Sequence, residues 1–313
     1  MKKKLVVHVD VDSPIPILRF YGYDAASYSV DELDRFYRLT FERMLGFFDE
    51  MGIQASLFVV GEDVELSPGC RSVLKQAFDE GHELENHSYS HPFGLAKKTA
   101  AEIDREVLRC NQLVEELTGV RPIGFRSPGY SMNNALMERL DTHGFAFDSS
   151  ALWSLMLPLT GVTHKLFFRN SQLSSGYGEV TAKLPRMPYF PSQEDWTETA
   201  DSSNRSILEI PLPRTPKLSL PFYHSFNLWI PESLALASAS SVDDDVLVYL
   251  FHLVEFADPA DLLPQGVLNH PNVKTPYSSK HKRTKKIFER LFERYEVAST
   301  RSLLPSLTLN VKS

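Results

Sequence analysis

The chain has 313 residues, 42% hydrophobic and 23% charged, with a formal net charge of −7. That is the profile of a water-soluble globular protein, long enough for one large α/β domain or two modest ones. The acidic balance excludes the basic footprint of a nucleic-acid-binding domain, and no apolar run approaches the roughly 20 residues of a membrane span.

From the amino terminus, Lys2 to Lys4 precede an apolar run that His8 and Asp10 interrupt. The run falls short of the roughly 7 to 15 apolar residues of a secretory signal, so the expected location is cytoplasmic. Leu5 to Val9 reads as a buried strand that ends in Asp10-Val11-Asp12-Ser13-Pro14. Residues 31 to 51 carry Leu33, Phe36, Leu39, Met44, Phe47 and Phe48 at helical spacing, closed by Gly52. A strand over Ala55 to Val60 follows, then a helix near Arg71 to Glu80 stopped by Gly81, and a short segment from His82 to Asn86. The clearest helix spans residues 99 to 118, with Ile103, Val107, Cys110, Val114 and Leu117 on one stripe and Gly119 as its stop. Ile123 to Phe125 is a strand candidate, and Asn134 to His143 a helix closed by Gly144. Such alternation is the signature of βα units around a parallel sheet, open or closed into a barrel. No glycine-rich phosphate loop follows the first strand, so a dinucleotide-binding fold has no support.

Residues 151 to 245 read differently, being rich in Pro, Ser and aromatic residues, with one strand inside Ser206 to Pro211. We read them as an elaborated insertion over the mouth of one catalytic domain spanning residues 1 to 313. Val246 to Phe251 returns as a buried strand, and Lys280 to Tyr295 as a helix whose outer face carries Lys280, Lys282, Arg283, Lys285 and Lys286. That face is a solvated surface or a peripheral contact for anionic lipid head groups. Cys70 and Cys110 stand in no metal-ligand or redox spacing and read as reduced thiols.

Four polar clusters fall where predicted strands end, the place where α/β scaffolds gather their sites. Asp10 and Asp12, two apart on an extended chain, point the same way and repel unless a cation or a proton lies between them. Glu85-Asn-His87-Ser-Tyr-Ser-His91-Pro92 brings two imidazoles to one side if the segment forms a helical turn or a tight loop. Two histidines and one carboxylate form a zinc-type donor set with open positions. Gly124-Phe-Arg126-Ser-Pro128-Gly-Tyr130 delivers an arginine and a turn able to aim backbone N–H groups at an oxyanion. Leu250-Phe-His252 ends an apolar strand in a lone histidine, and Asp148 ends another strand.

In this order the motifs resemble those of the polysaccharide deacetylases (carbohydrate esterase family four, the NodB homology domain), in an intracellular-type branch. The resemblance implies a distorted (β/α) barrel and hydrolysis of an N-acyl group, foremost N-acetyl, from an aminosugar in a glycan, a nucleotide sugar or a lipid-linked sugar. It implies that Asp12, His87 and His91 hold a divalent metal, foremost Zn2+. Asp10 is then the general base and His252 the general acid. Arg126 orients Asp10 and is held in turn by Asp148, and the N–H of Gly129 or Tyr130 faces the oxyanion. The chain departs from the family pattern in spacing its aspartates as Asp-Val-Asp and in inserting Gly129 before Tyr130. Those departures keep open a deformylase of lipid-linked aminosugars and an allantoinase-like cyclic-amide hydrolase using the same centre, while the presence of Asp10, Asp12, both histidines, Arg126 and His252 argues against a scaffold protein without turnover.

Overall fold

The computed structural model describes residues 2–20, 28–152, 184–200, 205–261, 263, 265–268 and 270–312. Eight strands form one sheet: β1 (Lys3–Val11), β2 (Ala55–Val59), β3 (Glu83–Asn86), β4 (Gly124–Phe125), β5 (Phe147–Asp148), β6 (Leu208–Glu209), β7 (Val246–His252) and β8 (Tyr295–Val297). Their spatial order is β6-β5-β4-β3-β2-β1-β7, with every pairing parallel. One edge of β1 serves two neighbours, because β8 pairs with Lys3–Leu5 and β2 with Val7–Val11. Among the described residues β6 and β7 do not pair, so the curved sheet is a half-barrel, matching the distorted (β/α) barrel expected. On the β6 side Tyr189 bridges Glu209 in antiparallel fashion.

Side-chain alternation along the strands separates two cores. Leu5, Val7, Val9 and Val11 face outward against the helix at Val30–Met51 and its neighbours. Val6 faces the sheet's inner side with Phe58, Leu250, Leu303 and Leu307. The helix at Thr300–Lys312 supplies the two leucines and so fills the barrel interior from below. By the same alternation His8, Asp10 and Asp12 stack above Val6, which is why β1 delivers a column of polar groups toward its carboxyl end.

Several helix ends obey local chemistry. Ser29 and Thr99 each close a capping box, with Glu32 and Glu102 respectively. Gly52 at φ 64° and Gly119 at φ 76° end their helices in the left-handed conformation. The strand β1 extends to Val11, and the helix expected near Arg71 starts earlier, at Pro68, where Ser67 caps it.

Several expectations shift. The helix expected over Lys280 to Tyr295 spans Tyr277–Phe292, and Tyr295 instead opens β8. Its basic face is also narrower than expected: Lys280 is buried and donates to the carbonyls of Ala257 and Asn272. Lys285 pairs with Glu50, Lys286 pairs with Glu232, and Arg283 donates to the Leu228 and Ile230 carbonyls. Of the expected insertion over residues 151 to 245, residues 153–183 and 201–204 lie outside the described residues. Its described part includes β6 and helices at His224–Trp229 and Glu232–Ser241. Both cysteines are buried free thiols. Among the described residues no helix is long and apolar enough to cross a membrane.

Candidate metal centre and active site

The carboxyl ends of β1, β3, β4 and β7 converge. His87 follows β3 directly, and the loop to His91 is tight, with Ser88 at φ 67° and His91 at φ 51°. A loop rather than a helical turn therefore turns the two imidazoles toward each other, with ring centroids 4.9 Å apart. Asp12 Oδ1 lies 3.2 Å from His87 Nε2 and 3.4 Å from His91 Nε2.

This set fits a divalent cation. Donor atoms of Asp12, His87 and His91 lie within 4.8 Å of one another. Buried Asp12 Oδ1 has no hydrogen-bond partner among the described residues, so a carboxylate oxygen is desolvated between two imidazoles and unpaid by any N–H. His87 Nδ1 donates to the Arg126 carbonyl at 2.7 Å, which directs the lone pair of Nε2 toward Asp12. Burial holds His91 low, near pKa 4, and therefore neutral as a ligand must be. Burial pushes the Asp12 carboxyl up, but the adjoining His91 and His87 imidazoles outweigh it and hold that carboxyl far below the usual range.

Beside this triad, Asp10 Oδ1 lies 3.4 Å from Arg126 Nε, and Asp10 Oδ2 lies 3.7 Å from His252 Nε2. The Tyr130 hydroxyl is 3.3 Å from the same His252 nitrogen. Arg126 is fully buried, its guanidinium 4.6 Å above the Phe58 ring. A carboxylate, a buried arginine, a histidine and a phenol thus share one small space with the triad.

Residues 29–147 match the polysaccharide deacetylase family model. Those residues form a polysaccharide deacetylase domain. Among curated relatives, the peptidoglycan deacetylase of Helicobacter pylori is 29% identical over 163 residues, which cover 50% of the chain and 53% of that protein. The chain spans about half the length of the first curated relatives it matches. Among solved structures, a Mycobacterium smegmatis protein described as a polysaccharide deacetylase superposes with a TM-score of 0.62 at 15% identity, covering 100% of this chain and 92% of that one. A CE4 family pseudoenzyme from Bacillus anthracis superposes at 0.50 with 13% identity, covering 97% of this chain and 66% of that one. The fold is thus shared by a pseudoenzyme, and activity has to be argued from the site.

The site departs from sequence expectation in three places. Asp148 does not pair with Arg126: it accepts from the Ser150 N–H and hydroxyl and faces Glu209. Burial pushes both of those carboxyls up, Glu209 well above its ordinary value, as for two acids sharing a proton. Arg126 is held instead by Ser149 Oγ at 2.9 Å and His8 Nδ1 at 2.6 Å. Second, the Tyr130 N–H donates to the Ser127 carbonyl, so of the two amides considered only that of Gly129 stays a candidate for an oxyanion. Third, sequence reading missed Glu255 and His224. Glu255 Oε1 lies 3.4 Å from His252 Nδ1, and Glu255 Oε2 accepts from His224 Nδ1 at 2.6 Å. Burial pushes Glu255 up, yet His224 and His252 outweigh it and keep the carboxylate ionised. The signal available was Glu255 three residues after His252, the spacing of a capping box, which the short turn Leu253–Phe256 indeed forms.

A hollow of about 930 Å3 lies elsewhere. Its lining includes Ile53 and Gln54 just before β2 and His82 just before β3, hence the amino ends of the strands. It holds none of the converging groups, and its size carries no functional weight.

Proposed function

We propose that the chain is a metal-dependent hydrolase that removes an N-acyl group, foremost N-acetyl, from an aminosugar of a glycan or glycan precursor. The observation that carries the reading is the convergence of Asp12, His87 and His91 on one point, flanked by Asp10 and His252. A divalent ion held by that triad, with zinc favoured by its nitrogen-rich donors, would supply Lewis acidity toward water and an amide carbonyl. Asp10, backed by Arg126, is placed to take the proton of the attacking water. His252, whose Nε2 is the atom nearest Asp10, is placed to give a proton to the leaving amine. The Gly129 N–H is the backbone donor for the developing oxyanion. The Helicobacter pylori relative, named for peptidoglycan deacetylation, supports an N-acetylated sugar as the substrate class. We also propose, without a membrane role for the helix at Tyr277–Phe292, that the substrate is met in the cytoplasm.

The test is a panel of N-acetylglucosamine oligomers, nucleotide sugars, peptidoglycan fragments, formylated aminosugars and cyclic ureides, offered to the zinc-loaded protein. Acetate and amine should appear together. Formate release, or ring opening alone, would move the reading to another amide with the same centre. No product from any of them under metal-loaded conditions would place the chain with the pseudoenzymes.

A further inference from the structure

Below Asp10, the barrel interior holds a hydrogen-bonded column that the reaction does not touch directly. His8 is fully buried on β1, between the rings of Phe58 at 5.0 Å and Phe147 at 6.4 Å. Its Nδ1 is 2.6 Å from Arg126 NH2, and its Nε2 is 3.0 Å from Thr300 Oγ1. Thr300 Oγ1 is 2.7 Å from Ser56 Oγ, which lies 2.6 Å from Glu83 Oε2. Ser56 and Thr300 are as buried as the histidine.

The direction of every proton in this column follows from its two ends. A guanidinium can only donate, so His8 Nδ1 must accept. Burial, aided by the charge of Arg126, holds the His8 pKa well below its usual value, so its one ring proton stands on Nε2. That N–H donates to Thr300. A carboxylate can only accept, so the Ser56 hydroxyl donates to Glu83, and the Thr300 hydroxyl is left to donate to Ser56. Every link has one donor and one acceptor, and none is duplicated. The neutral imidazole is therefore a spacer of fixed length between the guanidinium and the helix at Thr300–Lys312.

We propose that His8 is a positioning residue that holds Arg126 in place, with Thr300 on the helix at Thr300–Lys312 and Ser56, its register partner on β2, as its anchor. Through Arg126 it acts on two atoms of the site. The guanidinium faces Asp10 at 3.4 Å, and the Arg126 carbonyl accepts from metal-triad His87. Because both Asp148 oxygens accept from Ser150, the support expected from a carboxylate is provided here by an imidazole and the Ser149 hydroxyl. The catalytic part of this inference rests on the hydrolase reading above; the hydrogen-bond column itself does not.

The experiment compares His8→Leu, His8→Asn and Thr300→Val with wild type in metal content, thermal unfolding, kcat and KM. Asparagine places its amide oxygen about where Nδ1 stood and restores the acceptor for Arg126. His8→Leu should keep its metal and lose kcat by ~10- to 100-fold with little change in KM, the scale of a misplaced catalytic group. His8→Asn should recover most of that loss. A His8→Leu variant that folds, holds metal and turns over within about twofold of wild type would overturn the inference, as would His8→Asn being no better than His8→Leu. If His8→Leu fails to fold, Thr300→Val carries the test: a kcat loss at constant KM supports the column, and unchanged kcat overturns it.

A second readout needs no substrate. In histidine-selective 15N NMR, His8 should stay protonated on Nε2 and bare on Nδ1 across about pH 5 to 8. A ring proton on Nδ1, or titration in that range, would refute the column even if the enzyme is active. The expected tautomer in a chain that hydrolyses nothing would keep the column and discard only the hydrolase reading.

Discussion

Asp10 and His252 are register partners on adjacent parallel strands, and this pairing puts Asp10 Oδ2 3.7 Å from His252 Nε2. The two groups proposed for opposed proton transfers are thereby fixed by backbone ladders rather than by loops, at the strand ends where the triad also sits. Asp10 touches Arg126 and His252, whereas Asp12 touches His87 and His91. The alternation of β1 gives both carboxylates one face, and two residues of rise give them different partners.

That division predicts a separation by mutation. Asp12→Ala and His87→Ala should lose metal and turnover together. Asp10→Asn should retain metal by elemental analysis while kcat falls by about 10^2 to 10^4, the usual contribution of a positioned general base. Near-normal kcat in Asp10→Asn would remove it from that role, and unchanged metal content in His87→Ala would dissolve the triad.

The second prediction concerns pH. Burial alone would lower the His252 pKa, but the neighbouring Glu255 carboxylate, with Asp10 and Asp12, outweighs it and raises the histidine to about 9. A general acid must hold its proton, so its contribution is present below that value and is lost as pH rises through it. The alkaline limb of the kcat profile should therefore fall near pH 9. Glu255→Gln removes a negative charge next to Nδ1 and favours the neutral ring, so the limb should move to lower pH by about one to three units. A limb that stays in place would uncouple Glu255 from His252.

Gly124 offers a test of the scaffold. A Cβ at this position would lie 2.1 Å from Cζ of Phe147, an aromatic ring that packs edge-on against Phe58. A buried ring cannot yield as the tip of a flexible chain would. Gly124→Ala should cost about 1 to 3 kcal/mol in urea unfolding, the range for overpacking. Because β4 delivers Arg126 immediately afterwards, kcat should fall as well. A stability change under about 0.5 kcal/mol would mean that the β4–β5 contact is looser than it looks.

Much of this was legible in sequence because local rules decided it. The Val-rich β1, the capping-box helices and the left-handed glycines follow from short-range chemistry. The triad was legible through the order of its motifs, with Asp12, His87 and His91 in the places the family resemblance implies. The partner of Arg126 was not. Asp148 was the obvious acid, but its neighbours Ser150 and Glu209 come from a local turn and from β6, and they claim it first. His8 looked like an interruption in an apolar strand. It becomes intelligible only with Thr300, 292 residues away, in the barrel below it. Lys280 was misread for a similar reason: a lysine in a basic run reads as solvated unless one knows that two carbonyls end beside it.

Arg301, on the helix at Thr300–Lys312, pairs with Glu85 of β3, and removal of that pair should have a definite pH signature. Glu85 is fully buried and accepts from the N–H groups of Ile123 and Gly124, while Arg301 Nε lies 2.7 Å from its other oxygen. Burial pushes the Glu85 carboxyl above its ordinary value, and Arg301 is the main group pulling it back. Arg301→Met would leave that carboxyl without its countercharge, so its pKa in the folded state should climb further. The folded chain then holds a proton that the unfolded chain releases above about pH 4.3, and stability falls as pH rises through that window. The variant should therefore lose little at pH 4 and about 1 to 3 kcal/mol at pH 7, less than the roughly 3 to 5 kcal/mol of a fully buried pair because Arg301 is partly exposed. Urea titrations of both chains at the two pH values measure it. An equal loss at both would mean that Arg301 contributes packing alone, and that the ionisation of Glu85 does not depend on it.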